Sequence, residues 1–379
     1  MTTISNIDLH CHTKASDGGL SPTEVVTRAY NRGINYLAIT DHDLVAGVAE
    51  AVTAAQEGNA RLLQDNPPDL RETFLDNPHT LLQVTLGGKE LGVESVSRPV
   101  AERLLTVIPG VEFSTTWREE QIHVVGLFVD INHPQLVDLV QKLKIARTER
   151  AVAIGKKLER LGFVRPYERC CEEAQEGATI TRGNFAHLIF ADGKAKNVDD
   201  AFHKYLRRGQ PAYVKTVWGS IEETIAVIKA AGGVAILAHP RRYHISNHRL
   251  RRLIGEFKAW GGESIEVSSC QQSEADRTYL TELCQQFEMY ASLGSDFHHD
   301  NYYRDLGQNL DLPPILPAVW DCPQAKRWGL PDGIKQRLVH VTYHKKDEHS
   351  EAAAQDNTGA AADNAGTAAS DNAAVTTNS

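Results

Sequence analysis

Nine side chains of types that commonly bind metal ions occur in seven short motifs, and most of these motifs follow an apolar, strand-like run. In chain order they are His10 and His12 in DLHCH, Asp17 in SDGG, His42 in AITDHD, Glu112 in PGVEFS, His123 in IHVVGL, His239 in ILAHP, and Asp296 with His298 in LGSDFH. Imidazole and carboxylate together suit Zn, Mn or Fe better than Mg or Ca. Nine donors are too many for one ion and suit about three, so the pattern predicts metal-assisted hydrolysis.

Glu112 is the candidate for a bridging ligand, because a carboxylate offers two oxygens. Two ions about 3.5–4 Å apart can clamp the attacking and leaving oxygens of a displacement. Three divalent ions outweigh the negative charge of Glu112, Asp17 and Asp296, so the predicted centre is positive and suits a phosphate ester. The chain has no Ser-His-Asp or Cys-His pattern that would support a covalent route.

Each motif also has a structural explanation when it is taken alone, since a buried histidine is more often hydrogen-bonded in the core than bound to metal. Seven coincidences would be needed to explain the set in this way, so we favour the functional interpretation. Structural roles are assigned to the histidines outside the motifs, namely His79, His133, His187, His203, His244, His248, His340, His344 and His349. His299, beside His298, is predicted to face solvent.

The elements that would position these residues alternate between strands and helices. Strands are predicted at 4–10, 36–40, 106–111, 122–129, 234–238, 264–267 and 290–294. Helices are predicted at 44–57, 136–161, 221–231, 250–260 and 274–287, and Ser21-Pro22-Thr23-Glu24 is typical of a capping box that opens another. This alternation favours a mostly parallel sheet or barrel. Ligand motifs follow five of the strands, where (β/α) barrels place active sites, but His123 begins its strand.

Three segments interrupt this alternation. Residues 59–105 include the turn-rich run DNPPDLRETFLDNP, residues 135–217 form a basic and mainly helical insertion, and residues 347–379 lack hydrophobic periodicity and are expected to be disordered. The predicted organisation is therefore a barrel built from residues 1–134 and 218–346, with a substrate-binding insertion between its parts and an acidic tail.

The formal net charge of −9 is unevenly distributed. Residues 140–215 hold sixteen Lys and Arg against nine Asp and Glu, whereas residues 347–379 hold six acidic residues and no Lys or Arg. A basic segment on an acidic body suits an anionic substrate. The sequence shows no membrane span, no signal peptide and no secreted cysteine pattern, which predicts a cytoplasmic protein with reduced thiols. Cys11 is predicted to be buried.

The motif order HxH, SDG, TDHD, PGVE, IHxVG, AHP and SDFH resembles the PHP family, which is named for polymerase and histidinol phosphatase domains. Three longer phrases resemble its branch of nucleoside 3′,5′-bisphosphate phosphatases and 5′–3′ exoribonucleases: ITRGNFAHLIFADGKAKNVDDAFHKYLRRGQPAYV, AILAHPRRY and IEVSSCQQS. The resemblance implies a distorted (β/α)7 barrel of TIM-like type, with a helical insertion over its mouth.

The resemblance also implies three divalent metal ions, with Mn as the first expectation and Zn or Fe as alternatives. The implied ligand sets are His10, His12, Glu112 and Asp296 for one ion, Glu112, His123 and His239 for a second, and Asp17, His42 and His298 for a third. The implied reaction is hydrolysis of a 3′-O–P bond next to a 5′-phosphate. The substrate would be a nucleoside 3′,5′-bisphosphate, or 5′-phosphorylated RNA that is cut into 5′-mononucleotides.

The predicted catalytic residues are Glu112, Asp296 and Arg182. Arginine recognises phosphate through its bidentate fork, and the predicted phosphate-binding residues are Arg147, Arg150, Arg182 and Arg242. No obligatory protein partner is expected. Two alternatives stay open: a PHP phosphatase of a small metabolite such as histidinol phosphate, and a non-catalytic metal-binding regulatory module. The basic insertion argues against the first, and the complete set of ligands argues against the second.

Overall fold

Strands and helices alternate along most of the chain. The computed structural model describes residues 2–65, 80–86, 89–96, 103–174, 178–216, 218–299 and 304–341. Its strands are β1 (Thr2–Ser5), β2 (Ile7–Cys11), β3 (Tyr36–Ile39), β4 (Thr80–Leu86), β5 (Lys89–Val96), β6 (Thr106–Trp117), β7 (Glu120–Leu127), β8 (Val234–Leu237), β9 (Ser264–Ser269), β10 (Tyr290–Gly294) and β11 (Leu338–Val341). Its α-helices are α1 (Pro22–Asn31), α2 (Ala46–Gln64), α3 (Pro134–Arg160), α4 (Pro166–Glu173), α5 (Arg182–Ala191), α6 (Val198–Ala201), α7 (Ile221–Ala230), α8 (Asn247–Ala259), α9 (Glu274–Gln286) and α10 (Pro323–Trp328).

Seven strands form one sheet in the order β10-β9-β8-β7-β6-β3-β2. Its two edges meet at the end of β10, where the N–H of Asp296 donates to the carbonyl of His10 (2.8 Å). Beside this bond, the N–H of His12 donates to the carbonyl of Phe297 (2.8 Å). The sheet is therefore a nearly closed barrel, which confirms the predicted distorted (β/α)7 fold.

Closure of the barrel depends on a glycine at the end of β10. A Cβ atom at Gly294 would lie 2.1 Å from Cβ of His10, which is far inside van der Waals contact. The missing side chain lets β10 approach β2 without displacing His10. The glycine of the LGSDFH motif thus has a packing reason that is separate from the chemistry of the motif.

All seven predicted strands are present in the barrel, with two differences. The run 4–10 is divided, because β1 pairs antiparallel with β11 in a separate two-stranded sheet and β2 begins at Ile7. The parallel arrangement fails at β7, which runs antiparallel to both β6 and β8. This reversal pairs Val124, near the start of β7, with Leu237 at the end of β8. The start of β7 therefore lies at the same end of the barrel as the carboxyl ends of the parallel strands.

The predicted helices are also present, with bounds that shift by a few residues. The capping box is confirmed at the start of α1, where the N–H of Glu24 donates to the hydroxyl of Ser21 (3.2 Å). In return, the N–H of Ser21 donates to the carboxylate of Glu24 (2.7 Å). These two bonds satisfy amide groups that the first turn of a helix leaves without partners.

Buried apolar side chains form three clusters. The largest belongs to the barrel and includes Phe113 of β6, and the second packs α1 and α2 against β2 and β3 through residues such as Val25 and Val48. The third lies among helices α3 to α6 and includes Leu158 and Phe185. The helices between residues 135 and 217 therefore have a small core of their own, although the domain boundaries remain a prediction.

Part of the predicted 59–105 insertion has regular structure. Helix α2 continues through Gln64, and β4 pairs antiparallel with β5. The run DNPPDLRETFLDNP, apart from its first residue, and the predicted tail at 347–379 lie outside the described residues. No helix in the described ranges combines the length and apolar character that crossing a membrane requires. All six cysteines are free, as predicted, and the buried Cys11 donates from Sγ to the carbonyl of Ala38 (3.2 Å).

Replacing Gly294 by Ala should lower the free energy of unfolding by about 1–3 kcal/mol, because the new methyl group overpacks the junction of β10 with β2. Gly255→Ala is the matched control. Gly255 lies inside α8, and its added Cβ would meet its nearest neighbour at an ordinary contact distance of 3.5 Å. The control should therefore be neutral or stabilising. Urea unfolding measures both variants, and equal midpoints would contradict the role given to Gly294.

Candidate metal centre

The nine predicted ligand side chains meet at one end of the barrel. His10 lies on β2, and His12 and Asp17 follow that strand; His42 follows β3, Glu112 lies on β6, His123 lies near the start of β7, His239 follows β8, and Asp296 and His298 follow β10. The chain turns sharply at two of these positions, because His239 and Asp296 have positive φ values of 28° and 51°. Such backbone conformations cost about 1–3 kcal/mol each and concentrate at functional sites.

The first predicted ligand set surrounds the two histidines of DLHCH. Nε2 of His10 lies 3.4 Å from Oε1 of Glu112 and 3.5 Å from Oδ1 of Asp296. Nε2 of His12 lies 3.3 Å from Oε2 of Glu112 and 3.1 Å from Oδ1 of Asp296. Ligands that bind a tetrahedral ion with bonds of about 2.0–2.2 Å lie roughly 3.4 Å apart. The four side chains therefore have the mutual spacing of ligands to one ion.

A second group forms around Asp17, whose carboxylate faces three imidazole rings. Nε2 of His298 lies 3.3 Å from Oδ1 of Asp17, and Nε2 of His42 lies 3.9 Å from Oδ2. Nδ1 of His12 lies 4.0 Å from Oδ1 of the same carboxylate. These four side chains could hold one ion together. The structure thus brings together the predicted set of Asp17, His42 and His298, and it adds His12.

Glu112 joins the groups, because its two carboxylate oxygens face different histidines. Oε1 lies 2.8 Å from Nδ1 of His123 and 2.9 Å from Nε2 of His239. Oε2 lies 2.8 Å from Nδ1 of His42. The structure therefore places His123 and His239 beside Glu112 as predicted, and it adds His42 as a neighbour. A carboxylate arranged in this way can bridge two ions.

The donor atoms fit divalent cations. Among the described residues, buried atoms without a hydrogen-bond partner include Oε2 of Glu112, Oδ1 of Asp17 and Nδ1 of His12. Burial lowers the pKa of His12 to about 3 and that of His123 to about 4, so both imidazoles are neutral at pH 7 and can donate a lone pair. Although burial opposes ionisation of Glu112, the neighbouring histidines hold its pKa well below the usual range. Neutral imidazoles and ionised carboxylates are the forms that bind metal ions.

Three of the predicted arginines line one cavity with the ligand cluster. This cavity of about 600 Å³ also contacts Asp17, His42 and His298, and its arginines are Arg147, Arg150 and Arg182. Burial, followed by the neighbouring Arg182 and Arg147, lowers the pKa of Arg150 to about 9. The cations therefore crowd one another beside the ligand cluster.

The three arginines differ in how their charge is balanced. Nε of Arg147 donates to Oδ2 of Asp43 (2.5 Å), so Arg147 is paired within the protein. Arg150 lies over the ring of Trp218 at 5.4 Å from the ring centroid. Arg182 makes a long contact of 3.5 Å from Nη2 to the amide oxygen of Gln121. Arg150 and Arg182 thus have weaker partners than Arg147.

Arg242, the fourth predicted phosphate-binding residue, occupies a different position. Its guanidinium donates to the carboxylate of Asp296, and it is not among the residues that line the 600 Å³ cavity. Although burial opposes the shift, Asp296 and Glu266 raise the pKa of Arg242. The observed contact orients a metal-type ligand, and the prediction that Arg242 binds phosphate stays untested.

Two residues of the site were not predicted from the sequence. The buried Glu266 on β9 lies with Oε2 at 3.0 Å from Nδ1 of His10, and the same oxygen accepts from the N–H of His239 (3.1 Å). The sequence feature that could have identified Glu266 is a carboxylate within the apolar strand IEVSS, and every residue of that strand is buried in the structure. Arg304 lines the cavity and donates to the carbonyl of Asp296 (3.2 Å). No sequence pattern identifies Arg304.

The prediction that His299 faces solvent is wrong. Its ring is half-buried and lies 4.0 Å, centroid to centroid, from the ring of His187, and both residues line the cavity. His299 directly follows a ligand-type residue in sequence, so local pattern alone could not show where its ring would pack.

Comparison with known proteins agrees with this geometry. Residues 8–207 match the PHP domain family. A 5′-3′ exoribonuclease of Haemophilus influenzae is 39% identical over 314 residues, which are 83% of this chain and 97% of that protein. A 3′,5′-nucleoside bisphosphate phosphatase of Chromobacterium violaceum is 34% identical over 318 residues, 84% of this chain and 96% of that protein.

A solved structure from Chromobacterium violaceum, described as an amidohydrolase with bound sulfate and no metal, has a TM-score of 0.68 and 34% identity. The match covers 83% of this chain and 94% of that one. The barrel, its cluster of donors and these relatives define an enzyme of the metal-dependent phosphoesterase class. The chain belongs to the PHP family, and the resemblance seen in its motifs is confirmed.

Replacing Glu112 by Gln should reduce hydrolysis by at least about 100-fold, because the substitution removes the charge that both halves of the cluster share. The fold should survive, since Gln has nearly the same shape. Glu120→Gln is the control and should keep activity, because Glu120 begins β7 and its carboxylate pairs with Arg249 rather than with a ligand histidine. Elemental analysis should show fewer retained ions per chain in Glu112→Gln only. Full activity in that variant, or fewer than two ions per chain in active wild type, would contradict the bridging role.

Replacing Glu266 by Gln should weaken metal retention and activity by about 10- to 100-fold, because a carboxylate behind a ligating histidine fixes its tautomer and orientation. The measurement is the metal content after dialysis against graded chelator concentrations, together with turnover. Glu288→Gln is the control, since that side chain is 88% exposed. If both variants retained metal equally, Glu266 would have no role in orienting His10.

Proposed function

We propose that the enzyme hydrolyses the 3′-O–P bond of a nucleotide that also carries a 5′-phosphate. The substrates are nucleoside 3′,5′-bisphosphates, from which the enzyme removes the 3′-phosphate, and 5′-phosphorylated RNA, which it degrades from the 5′ end into 5′-mononucleotides. The observation that carries the proposal is that one cavity holds both the metal-type ligands and the crowded arginines.

The arginines support the binding of a second phosphate. Arg147 is balanced by Asp43, whereas burial, followed by the charges of Arg182 and Arg147, lowers the pKa of Arg150 to about 9. Burial is also the first cause of the lowered pKa of Arg182. A phosphate between Arg150 and Arg182 would relieve this repulsion and accept bidentate hydrogen bonds. The substrate would then have one phosphate at the arginines and another at the ligand cluster.

A direct hydrogen-bonded link joins the start of helix α5 to the ligand cluster. The hydroxyl of Thr181 donates to Oδ2 of Asp17 (2.7 Å) and accepts from the N–H of Gly183 (2.9 Å). Thr181 caps helix α5, and Arg182 is the first residue of that helix. The cap therefore ties the phosphate-binding arginine to the ligand cluster. This link supports a fixed position of a 5′-phosphate relative to the scissile bond, as cleavage one nucleotide from the 5′ end requires.

The proposed cofactor is three divalent metal ions, with Mn²⁺ first and Zn²⁺ or Fe²⁺ as alternatives. The proposed sets are His10, His12, Glu112 and Asp296; Glu112, His123 and His239; and Asp17, His42 and His298. When bound, divalent ions supply Lewis-acid chemistry that lowers the pKa of water and neutralises charge on phosphoryl oxygens.

The protein's own side chains orient the metal-type ligands and the substrate, and they neutralise the charge of the 5′-phosphate. Arg242 and Arg304 lie against Asp296 and fix that carboxylate, while Glu266 orients His10. Arg182 and Arg150 hold the 5′-phosphate so that the 3′-phosphate would reach the ions that Asp296 and Glu112 help to hold. Holding the reacting groups in position in this way lowers the entropic part of the barrier.

The named activities of two relatives, a 5′-3′ exoribonuclease and a 3′,5′-nucleoside bisphosphate phosphatase, reduce to this same bond. In a bisphosphate the 3′-phosphate is terminal, and in RNA it is joined to the next nucleotide. One active site can therefore perform both reactions.

RNA with a 5′-monophosphate should be degraded roughly 30- to 1000-fold faster than the same RNA with a 5′-hydroxyl. The 5′-hydroxyl end would leave the buried guanidinium of Arg182 without a phosphate partner. Arg182→Ala should shrink this preference and slow hydrolysis of adenosine 3′,5′-bisphosphate. Hydrolysis of p-nitrophenyl phosphate, which has no second phosphate, should change much less.

Arg165→Ala is the matched control, because Arg165 pairs with Glu172 on the surface of the same helical segment and is 62% exposed. It should keep the wild-type end preference. Equal wild-type rates on both RNA ends would overturn end recognition and favour a phosphatase of a small phosphorylated metabolite.

A further inference from the structure

The cavity beside the metal centre has two chemically different ends. Its polar end holds Arg182 at the start of α5, together with the ligand cluster. Phe190 lies eight residues further along the same helix, about 12 Å away at the rise of an α-helix. Phe202 and Val198 line the cavity as well. This part of the cavity therefore offers two aromatic rings and a valine beside the polar Asn197 and Asp199, and its separation from Arg182 along the helix suits the length of a nucleotide.

Phe190 is placed in a way that packing does not explain. Its neighbours Leu188 and Ile189 are buried in the small core of the helical segment, whereas Phe190 is 46% exposed. Other large apolar side chains in the described ranges are also exposed, among them Val137, Ile145 and Val164, but none of these three lines the cavity. The exposed ring of Phe190 is thus a surface available to a ligand.

Phe202 adds a second aromatic surface in unusual local geometry. It begins a π-helical turn, Phe202–Leu206, and packs partly against the small core. Turns of this kind are rare and occur frequently at functional sites. Contact with the core fixes the position of Phe202, so the cavity offers one anchored ring and one exposed ring.

We propose that Phe190 and Phe202 form a stacking site for the base of the nucleotide whose 5′-phosphate the arginines hold. This inference rests on the proposed function and specifies its substrate: the enzyme distinguishes nucleotides from base-free sugar bisphosphates. Stacking accepts every base, because each base has a π face.

One polar group in this part of the cavity is already used within the fold, which favours a tolerant rather than a base-specific site. Asn197 lines the same cavity, but its amide oxygen accepts from the N–H of Asp200 (2.8 Å) and caps helix α6. That oxygen is committed to the fold and does not read a base edge. A tolerant site suits an enzyme that degrades RNA of any sequence.

The test compares two substrates in the same metal-loaded, full-length enzyme. One is adenosine 3′,5′-bisphosphate, and the other is 1-deoxyribose 3,5-bisphosphate, which has both phosphates and no base. Wild type should prefer the first. Phe190→Ala should lower kcat/KM on adenosine 3′,5′-bisphosphate by roughly 5- to 100-fold, mainly through KM, and should leave the base-free substrate within about 2-fold of wild type.

Phe190→Trp should restore the preference, because indole also stacks, and uridine 3′,5′-bisphosphate should follow the same pattern as the adenosine compound. Val164→Ala is the control, since Val164 is 71% exposed and lies outside the cavity. This control should match wild type on both substrates.

The outcomes separate this inference from the proposed function. Equal wild-type rates on the nucleoside and base-free bisphosphates would overturn the stacking site and leave the proposed function standing. Equal losses on both substrates in Phe190→Ala would also overturn it, because they indicate a structural role. Wild type that hydrolyses neither substrate would overturn the proposed function and this inference with it.

Discussion

The buried carboxylate of Glu112 is the constraint on which the site depends. Its oxygens lie within 3.4 Å of nitrogens on five imidazole rings, those of His10, His12, His42, His123 and His239. A carboxylate with no solvent exposure carries a large desolvation penalty unless charge and hydrogen bonding compensate it. The five rings lie on or follow four strands, β2, β3, β7 and β8, which must meet around one acidic group on β6, and the nearly closed barrel brings these strands together.

The helical segment is tied to this centre by ion pairs and hydrogen bonds. Arg147 of α3 donates to Asp43, which lies beside His42 in the loop after β3. Thr181 donates to Asp17, which lies in the loop after β2. Both contacts join the helices of the insertion to loops that carry ligand-type residues. The cavity therefore takes its metal-type ligands from the barrel, and three of its arginines and its two phenylalanines from the helices of the insertion. Under the proposed function, this division would leave the chemistry to the barrel and substrate selection to the helices.

Orientation of the ligands relies on a further layer of charged groups. Glu266 lies behind His10, and Arg242 and Arg304 lie against Asp296. Groups of this kind set the tautomer of a histidine and hold a carboxylate in its ionised form. Among them, Arg242 was predicted from its phosphate-binding chemistry, yet its observed partner is a carboxylate of the centre. Residue type alone does not distinguish a guanidinium that binds substrate from one that positions a ligand.

The sequence by itself predicted the strands and the nine side chains that the structure brings together, because these features depend on local patterns: apolar runs, turn residues and short motifs at strand ends. The barrel followed from the resemblance of those motifs to the PHP family. Only the tertiary structure explained His123, since the direction of β7 depends on its pairing with β6 and β8 and not on its own residues. The ring of His299 and the role of Glu266 likewise depend on contacts with residues far apart in the chain. The same holds for Phe190, whose exposure toward a cavity appears only when α5 is packed into the small core of the helical segment. The type of each side chain and the short motif around it can be read from the sequence. The residue that each charged or aromatic side chain contacts depends on which distant segments folding brings together.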